Sequence, residues 1–326
     1  MTRILTQNRN AATNFLQDLK NDFWADIKKN DTANKVVFIK ENTFSSKAGK
    51  LFLFVLEKIN LSFRLSIFFN RNRKNTTFAL ILGPDFGKFL SHRLKGNEIS
   101  VYIMDAWPNY HSRIETAIKV LGIKKIFFSS QQVADIFRAK GILEQSIWLP
   151  EAVRFEKYFS KSLEEKNIDV LNFGRKWDLH HDKIVHRLEE NNISYIYEKI
   201  KGVLVIPDNI AFLDFLSRAK ITICVPSSIS HPARSGEINT MTQRYLQCMA
   251  AKSIVLGVAP PELIELFGYN PVVEIDINNP FTQIESILQN LHLYEPLIEK
   301  NYEEVKKNHT WENRWLQIQA NLENKV

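Results

Sequence analysis

Cysteine is scarce in this chain of 326 residues: there are two, Cys224 and Cys248. Each sits among apolar neighbours, in "KITICVP" and "YLQCMAA", so the pair reads as buried free thiols suited to a reducing compartment rather than as a disulfide framework or a metal site. Glycine and proline are modest at 11 each. No internal period or low-complexity tract occurs, which sets aside collagenous, repeat and disordered classes. Uninterrupted hydrophobic runs of membrane-spanning length are lacking as well. The most apolar stretch, "KLFLFVLEKINLSFRLSIFF" at 50–69, is broken by Glu57, Lys58, Asn60 and Arg64 before it could cross a bilayer cheaply. Two readings of it stay open: a helix buried against a sheet, or a helix whose apolar face meets lipid or a lipid-linked substrate. The opening "MTRILTQNRNAATNF" has no continuous apolar core or small-residue cleavage site, so it does not read as a secretory signal. The expected location is cytoplasmic, with peripheral contact at the inner face of the cell membrane as its one variant.

What is present is an ordinary globular composition, 44% hydrophobic and 24% charged. At this length two domains are the default. Lysine and arginine exceed aspartate and glutamate by 43 to 36, a formal charge of +7 that permits anionic partners without naming them. The nearest thing to a nucleic-acid stripe, "NRNRKNTT" at 70–77, is short and isolated, so no nucleic-acid partner is expected.

Short apolar runs recur at 35–40, 77–82, 100–106, 124–130 and 146–150, with helical patterns between them. They are nearly continuous in hydrophobicity, as strands of a parallel sheet covered on both faces are. A polar stretch follows Pro150. The alternation then restarts at 168–174 and continues through strands at 221–226, "SIVLG" and 271–276. This predicts an α/β protein with an N-terminal Rossmann-like domain over 1–150, a linker over 151–167 and a second Rossmann-like domain over 168–300. Residues 301–326 form a closing helix, with Trp311 and Trp315 one turn apart, that packs on its own domain or reaches back to the first.

Ligands of open α/β sheets collect at the carboxyl ends of the strands. There, Gly174 allows a tight turn and Arg175 offers a planar fork of donors to a phosphate. His180 and His181 follow, but no third ligand has recognisable spacing, and no metal is expected. The loop "CVPSSISHPARSGEINT" brings Ser228, Arg234 and Glu237 toward a helix for which Thr240 reads as N-cap and Gln243 as its capping-box partner. On that helix Met241, Tyr245, Cys248 and Met249 make an apolar face. Arg244, Gln247 and Ala251 make the neighbouring stripe. Arg244 then either reaches solvent or Glu237, or joins the helix N-terminus in lining an anion site. In the first half, Gly83 lies in the turn "ILGPDFG", and "MDAWPNYHS" presents Asp105, Trp107, Tyr110 and His111. Asp105 is a base, a sugar-hydroxyl acceptor or a turn cap, and the rings are stacking faces for a sugar or core-edge residues. Neither G-x-G-x-x-G after the first strand, nor a P-loop, nor G-x-S-x-G occurs, so dinucleotide, Walker-type and serine-hydrolase readings lack support.

Taken in order, "DVLNFGRK", "FLSRAKITICVPSS", "TQRYLQCMAAKSIVLGVAPPELIELFG" and "HTWENRW" resemble the second domain of the retaining "group 1" nucleotide-sugar glycosyltransferases, the family 4-like enzymes of GT-B architecture. The resemblance spans about 168–320. It implies two Rossmann-like domains with parallel sheets facing across a cleft, and a hexosyltransferase-like activity. That activity carries a sugar from a nucleotide donor, UDP- or GDP-linked, to a glycan, lipid-linked or other surface-component acceptor, without a required metal or other cofactor. Arg175 matches the family's diphosphate-binding arginine and Gly174 its neighbour, with His180 and His181 where a lysine is usual. With the residues read above, the candidate catalytic set is Arg175, Asp105 and His181. The candidate donor wall is Gly174, Arg175, His180, Ser228, Arg234, Glu237, Thr240, Met241, Thr242, Arg244 and Gln247. The acceptor side is Gly83, Asp105, Trp107, Tyr110 and His111. Gln247 stands where the family has a ribose-binding glutamate, Asn239 eight positions before it where the other acidic residue falls, and Lys252 where glycine is common. A nucleotide-sugar epimerase or hydrolase, and a non-catalytic sugar-nucleotide or glycan binder, are the competing readings.

Overall fold

The computed structural model describes residues 2–6, 15–31, 36–61, 75–199, 206 and 208–323. The end of the 50–69 stretch and most of "NRNRKNTT" therefore lie outside the described residues. The first half runs β1 (Thr2–Thr6), α1 (Phe15–Asn30), β2 (Val36–Lys40), α2 (Thr43–Lys58), β3 (Thr76–Leu82), α3 (Leu90–Leu94), β4 (Glu98–Met104), α4 (His111–Leu121), β5 (Lys125–Phe128), α5 (Gln131–Ala139) and β6 (Gln145–Trp148). After the linker come β7 (Ile168–Asn172), α6 (Asp178–Glu190), β8 (Tyr195–Tyr197), α7 (Asn209–Arg218), β9 (Ala219–Cys224), α8 (Ser227–Ser230), α9 (Pro232–Ser235) and α10 (Gln243–Ala250). The chain closes with β10 (Ile254–Gly257), α11 (Pro261–Phe267), β11 (Val273–Glu274), α12 (Pro280–Gln289), α13 (Glu295–Asn308) and α14 (Trp311–Glu323).

All pairings within the two sheets are parallel, in the orders β2-β1-β3-β4-β5-β6 and β11-β10-β9-β7-β8. Parallel strands need crossovers, and the crossover helices cover both faces, which is why β3 and β4 are buried along nearly their whole length. The chain divides into two compact units. Unit one comprises β1, residues Ile27–Pro150 and the short segment Ala233–Ile238; unit two takes the start of α1 through Asp26, Glu151–Pro232 and everything from Asn239 onward. The six-stranded sheet centres the first core, around Ile81, Val101, Ile103 and Phe128. In unit two, one face of the sheet packs under α10 through Tyr245, Leu246 and Met249, and the other under α6 and α12 through Ile184 and Ile284.

The closing helix is part of unit two. Trp311 and Trp315 are both buried, and Trp311 meets Phe23 of α1 edge to face at 5.3 Å. Val153 and Thr310 form a parallel bridge that fastens the chain just after Pro150 to the start of α14. Cys224 and Cys248 are free and buried, as their neighbours suggest.

Candidate functional site

In unit two the side chains of interest gather where β7 and β9, adjacent strands, end. Gly174 has φ +81°, and a Cβ there would stand 3.3 Å from Arg244 Nη1. A glycine meets both demands, the left-handed backbone and the close approach. Arg244 lies in the first turn of α10. Its Nη1 donates to the Phe173 carbonyl and its Nη2 to the Val225 carbonyl, each at 3.3 Å. The guanidinium is therefore drawn over the carboxyl edge of the sheet by the carbonyls just past the ends of two strands, rather than out to solvent or to Glu237. Arg175 follows Gly174, and its Nη1 donates to Ser227 Oγ at 2.5 Å; Ser227 opens α8 and is buried. Lys176 lies over the Tyr197 ring at 5.2 Å. Two guanidiniums thus lie at the adjacent ends of β7 and β9, with the Lys176 ammonium on the β8 side of β7.

His180 contributes no charge to this group. It is buried in α6 with Nε2 lacking a hydrogen-bond partner. Burial first, then the nearby His181 and Lys183, push its pKa down to about 4, so the ring is neutral at neutral pH. His181 is also pushed down, chiefly by burial. Its Nδ1 lies 3.0 Å from the Tyr195 hydroxyl, with the Tyr197 ring edge-on at 4.6 Å. Gln247 is half-buried one turn beyond Gln243, to whose Oε1 its Nε2 donates at 3.5 Å.

The segment leading into α10 departs from its sequence reading. The helix begins at Gln243 with Thr242 as N-cap, so Thr240 is not the cap. Its hydroxyl instead donates to Glu262 Oε1 at 2.6 Å, and the Met241 amide donates to the same oxygen at 2.7 Å. Nor does Gln243 close a capping box: its side chain donates to the Ala152 carbonyl at 2.7 Å. The Gln243 amide is taken by Glu151 Oε2 at 2.6 Å, which places a protein carboxylate at the positive end of α10. The predicted apolar face holds, with Met241, Tyr245, Cys248 and Met249 all buried; in the polar stripe Ala251 is buried while Arg244 and Gln247 are half-buried. Ser228, also half-buried, donates to Asn239 Oδ1 at 3.5 Å. Glu151, Ser227 and Glu262, which hold these pieces in place, carry no motif. The one cue to Glu262 is its position just inside a Pro-Pro helix start.

In unit one, Gly83 (φ +59°) follows β3 and its amide donates to the Met104 carbonyl at 2.8 Å. The Tyr110 ring covers it, with Cε2 3.5 Å from where a Cβ would lie. Asp105 follows β4 with φ +55°, a conformation disfavoured for a residue with a side chain and worth notice at a strand end. Arg234 Nη2 donates to Asp105 Oδ2 at 2.9 Å, and the Arg234 guanidinium lies 5.5 Å from the buried Trp107 ring. The His111 ring bonds the Ala106 carbonyl at 3.1 Å and meets Phe137 edge-on, and burial above all lowers its pKa. Gly83, Asp105, Trp107, Tyr110 and His111 are thus brought together as their spacing suggests. Arg234 and the exposed Glu237, read from sequence with the donor wall, fall in unit one, Arg234 against Asp105 and Trp107. Among the described residues no group of three or more His, Cys, Asp or Glu is placed to hold a metal ion.

No protein-family model and no curated protein sequence matches the chain. Solved structures do. The Anabaena protein HepE in complex with UDP-glucose is 9% identical, with 99% of this chain and 100% of that one covered at a TM-score of 0.59. An α-glucosyltransferase in complex with UDP-glucose and DNA containing an abasic site is 13% identical over 100% of both chains, at 0.56. A glycosyltransferase from Rickettsia africae is 13% identical over 99% of both, at 0.52. At such identity the likeness is one of fold. With two parallel sheets, each flanked by helices, and a helical tail, the chain has the GT-B fold.

Proposed function

We propose that this chain is a glycosyltransferase that moves a sugar from a nucleoside diphosphate donor, UDP- or GDP-linked, to a hydroxyl of a glycan, lipid-linked or other surface-component acceptor. The observation that carries the reading is the pairing of Arg175 and Arg244 around Gly174 at the adjacent ends of β7 and β9. A parallel sheet collects ligands at that edge, and two guanidiniums suit a diphosphate better than any other common leaving group. HepE and the α-glucosyltransferase were solved with UDP-glucose, and their fold is this one.

On this reading Arg175, steadied by Ser227, holds the diphosphate and stabilises the negative charge that grows on it as the glycosidic bond breaks. Arg244 and Lys176 add to the same positive field. Cationic side chains take the place of a metal, and His181 and Gln247 supply polar contacts to the donor. The residues at the ends of β3 and β4 receive the acceptor, with Asp105 accepting a bond from its hydroxyl and Trp107 and Tyr110 flanking the sugar. The retaining outcome and the absence of a dedicated protein nucleophile are part of the proposal, and rest on the family resemblance of residues 168–320.

A second reading is favoured by Gln247. With an amide where the resembled family has a carboxylate, the ribose contact loses its charge, and the chain could bind nucleotide sugar without turnover. Purified protein supplied with UDP- and GDP-sugars and a panel of glycan and polyprenyl-linked acceptors separates the two. Acceptor-dependent release of UDP or GDP supports transfer. Nucleotide-sugar binding with no release under any acceptor supports the binder, and acceptor-independent consumption of donor points to a hydrolase or epimerase.

A further inference from the structure

We propose that α2 docks unit one onto an anionic phospholipid surface. This 16-residue helix is apolar on two opposite sides. Ser46, Gly49, Leu53 and Leu56, at spacings of three and four, face inward and are buried, as an amphipathic core helix requires. The opposite stripe is what a soluble surface would make polar. Phe44, Leu51, Val55 and Ile59 follow one another at helical spacing and are 83%, 65%, 46% and 59% exposed, with Phe54 and Leu61 exposed beside them. Scattered exposed leucines are ordinary, but an aligned stripe of large side chains marks an interaction surface.

The charge around that stripe names the partner. Lys47, Lys50 and Lys58 belong to α2, and Lys47 and Lys58 have no carboxylate partner among the described residues. Glu57, the one carboxylate of the helix, is held by Arg113 at 2.8 Å. Lys58 and Arg113 stand 5.5 and 5.6 Å from the Phe54 ring, so cations border an aromatic side chain. Large apolar groups with lysines at their margin suit the boundary between acyl chains and anionic headgroups. No helix among the described residues is long and apolar enough to cross a membrane, so α2 lies on the surface rather than spanning it.

The inward side of α2 connects this surface to the residues after β3. A Cβ on Gly49 would meet the Gly87 carbonyl oxygen at 2.2 Å, so helix and loop touch through two glycines. Lys50 pairs with Asp85 at 2.8 Å, and Asp85 with the buried Lys88 at 2.7 Å. The same loop carries Gly83. On the transfer reading, docking through α2 would set the acceptor-side loop about one helix diameter, roughly 10 Å, from the lipid headgroups, which suits a lipid-linked acceptor. Lipid binding itself does not depend on that reading and is measured apart from it.

The test is sedimentation of the full chain with vesicles of equimolar phosphatidylglycerol and phosphatidylcholine, with pure phosphatidylcholine alongside. Wild type should sediment with the anionic vesicles and much less with the neutral ones. Leu51→Glu with Val55→Glu, both at exposed positions and checked for an unchanged melting midpoint, should lower the partition constant by about tenfold or more. Wild type that stays in the supernatant, or a double variant that sediments equally, overturns the proposal. So does a wild-type dimer that the double variant converts to monomer while neither binds vesicles, which would make the stripe a contact between copies. Failure of sugar transfer with intact vesicle binding would overturn the function reading alone.

Discussion

Gly174 is the residue on which the geometry of the candidate donor site turns most directly. Its φ of +81° is costly for any residue with a side chain, and the Arg244 guanidinium occupies the space a methyl would need. Gly174→Ala should cost about 1 kcal/mol from the backbone conformation alone, read as a lower midpoint in urea, and should weaken nucleotide binding more than that loss of stability implies because Arg244 is displaced. An unchanged affinity would separate Arg244 from the ligand. The glycine and its arginine were legible in sequence as a Gly-Arg turn at a strand end. That Arg244 would bond the carbonyls of Phe173 and Val225 was not, because those partners are brought in by sheet pairing. Lys252 is the opposite case: at φ +53° it carries a side chain on a backbone conformation that favours glycine, and its ammonium is held by Glu299 at 2.6 Å and stands 4.4 Å from the Tyr302 ring.

At the scale of elements, the α/β alternation was readable from apolar runs because parallel strands buried on both faces have an unmistakable composition. β1 escaped that reading. It pairs with both β2 and β3, yet five residues with Arg3 among them offer too little pattern. The start of α10 was misplaced by two residues for a different reason. Thr240 and Thr242 are equally good caps locally, and the choice is made by Glu262, remote in sequence, which takes the Thr240 hydroxyl and the Met241 amide. Glu262→Ala leaves both donors without that partner, and since Glu262 is buried the loss should be about 2–4 kcal/mol, seen as a drop in melting midpoint of several degrees. A change under one degree would mean that the loop before α10 is held by other contacts.

For the whole molecule, the two-sheet architecture followed from the restart of the alternation after Pro150. The redistribution of Ala233–Ile238 into unit one, and of the start of α1 into unit two, depends on tertiary contacts such as Arg234 with Asp105 and Phe23 with Trp311 that no local pattern announces. Among the buried histidines of unit two, His309 and His180 are pushed down furthest and bear most on its response to acid. His309 stacks on Phe267 and accepts from Arg314 at Nδ1, and burial followed by the Arg314 charge pushes it down to about 3; His180 is pushed to about 4. Their unfolded value is 6.5, so below it the unfolded chain binds protons that the folded chain refuses, and stability falls as pH drops from 6.5 toward 4. Each should remove about 2 kcal/mol between pH 7 and pH 5, before the lowered carboxylates Asp85 and Asp169 begin to titrate. Urea midpoints should fall over that range in wild type and fall less in His309→Asn, whose amide oxygen can accept from Arg314; equal slopes would show that His309 is not a proton-linked site.

The most direct test of the proposed function is calorimetric titration of UDP and GDP into the wild-type chain and into Arg175→Ala and Arg244→Ala. Binding of one nucleotide by wild type, weakened about tenfold or more in each variant as a charge-assisted contact is lost, with melting midpoints unchanged for Arg175→Ala, is the predicted result. Equal affinity in wild type and both variants, or no nucleotide binding at all, would contradict it.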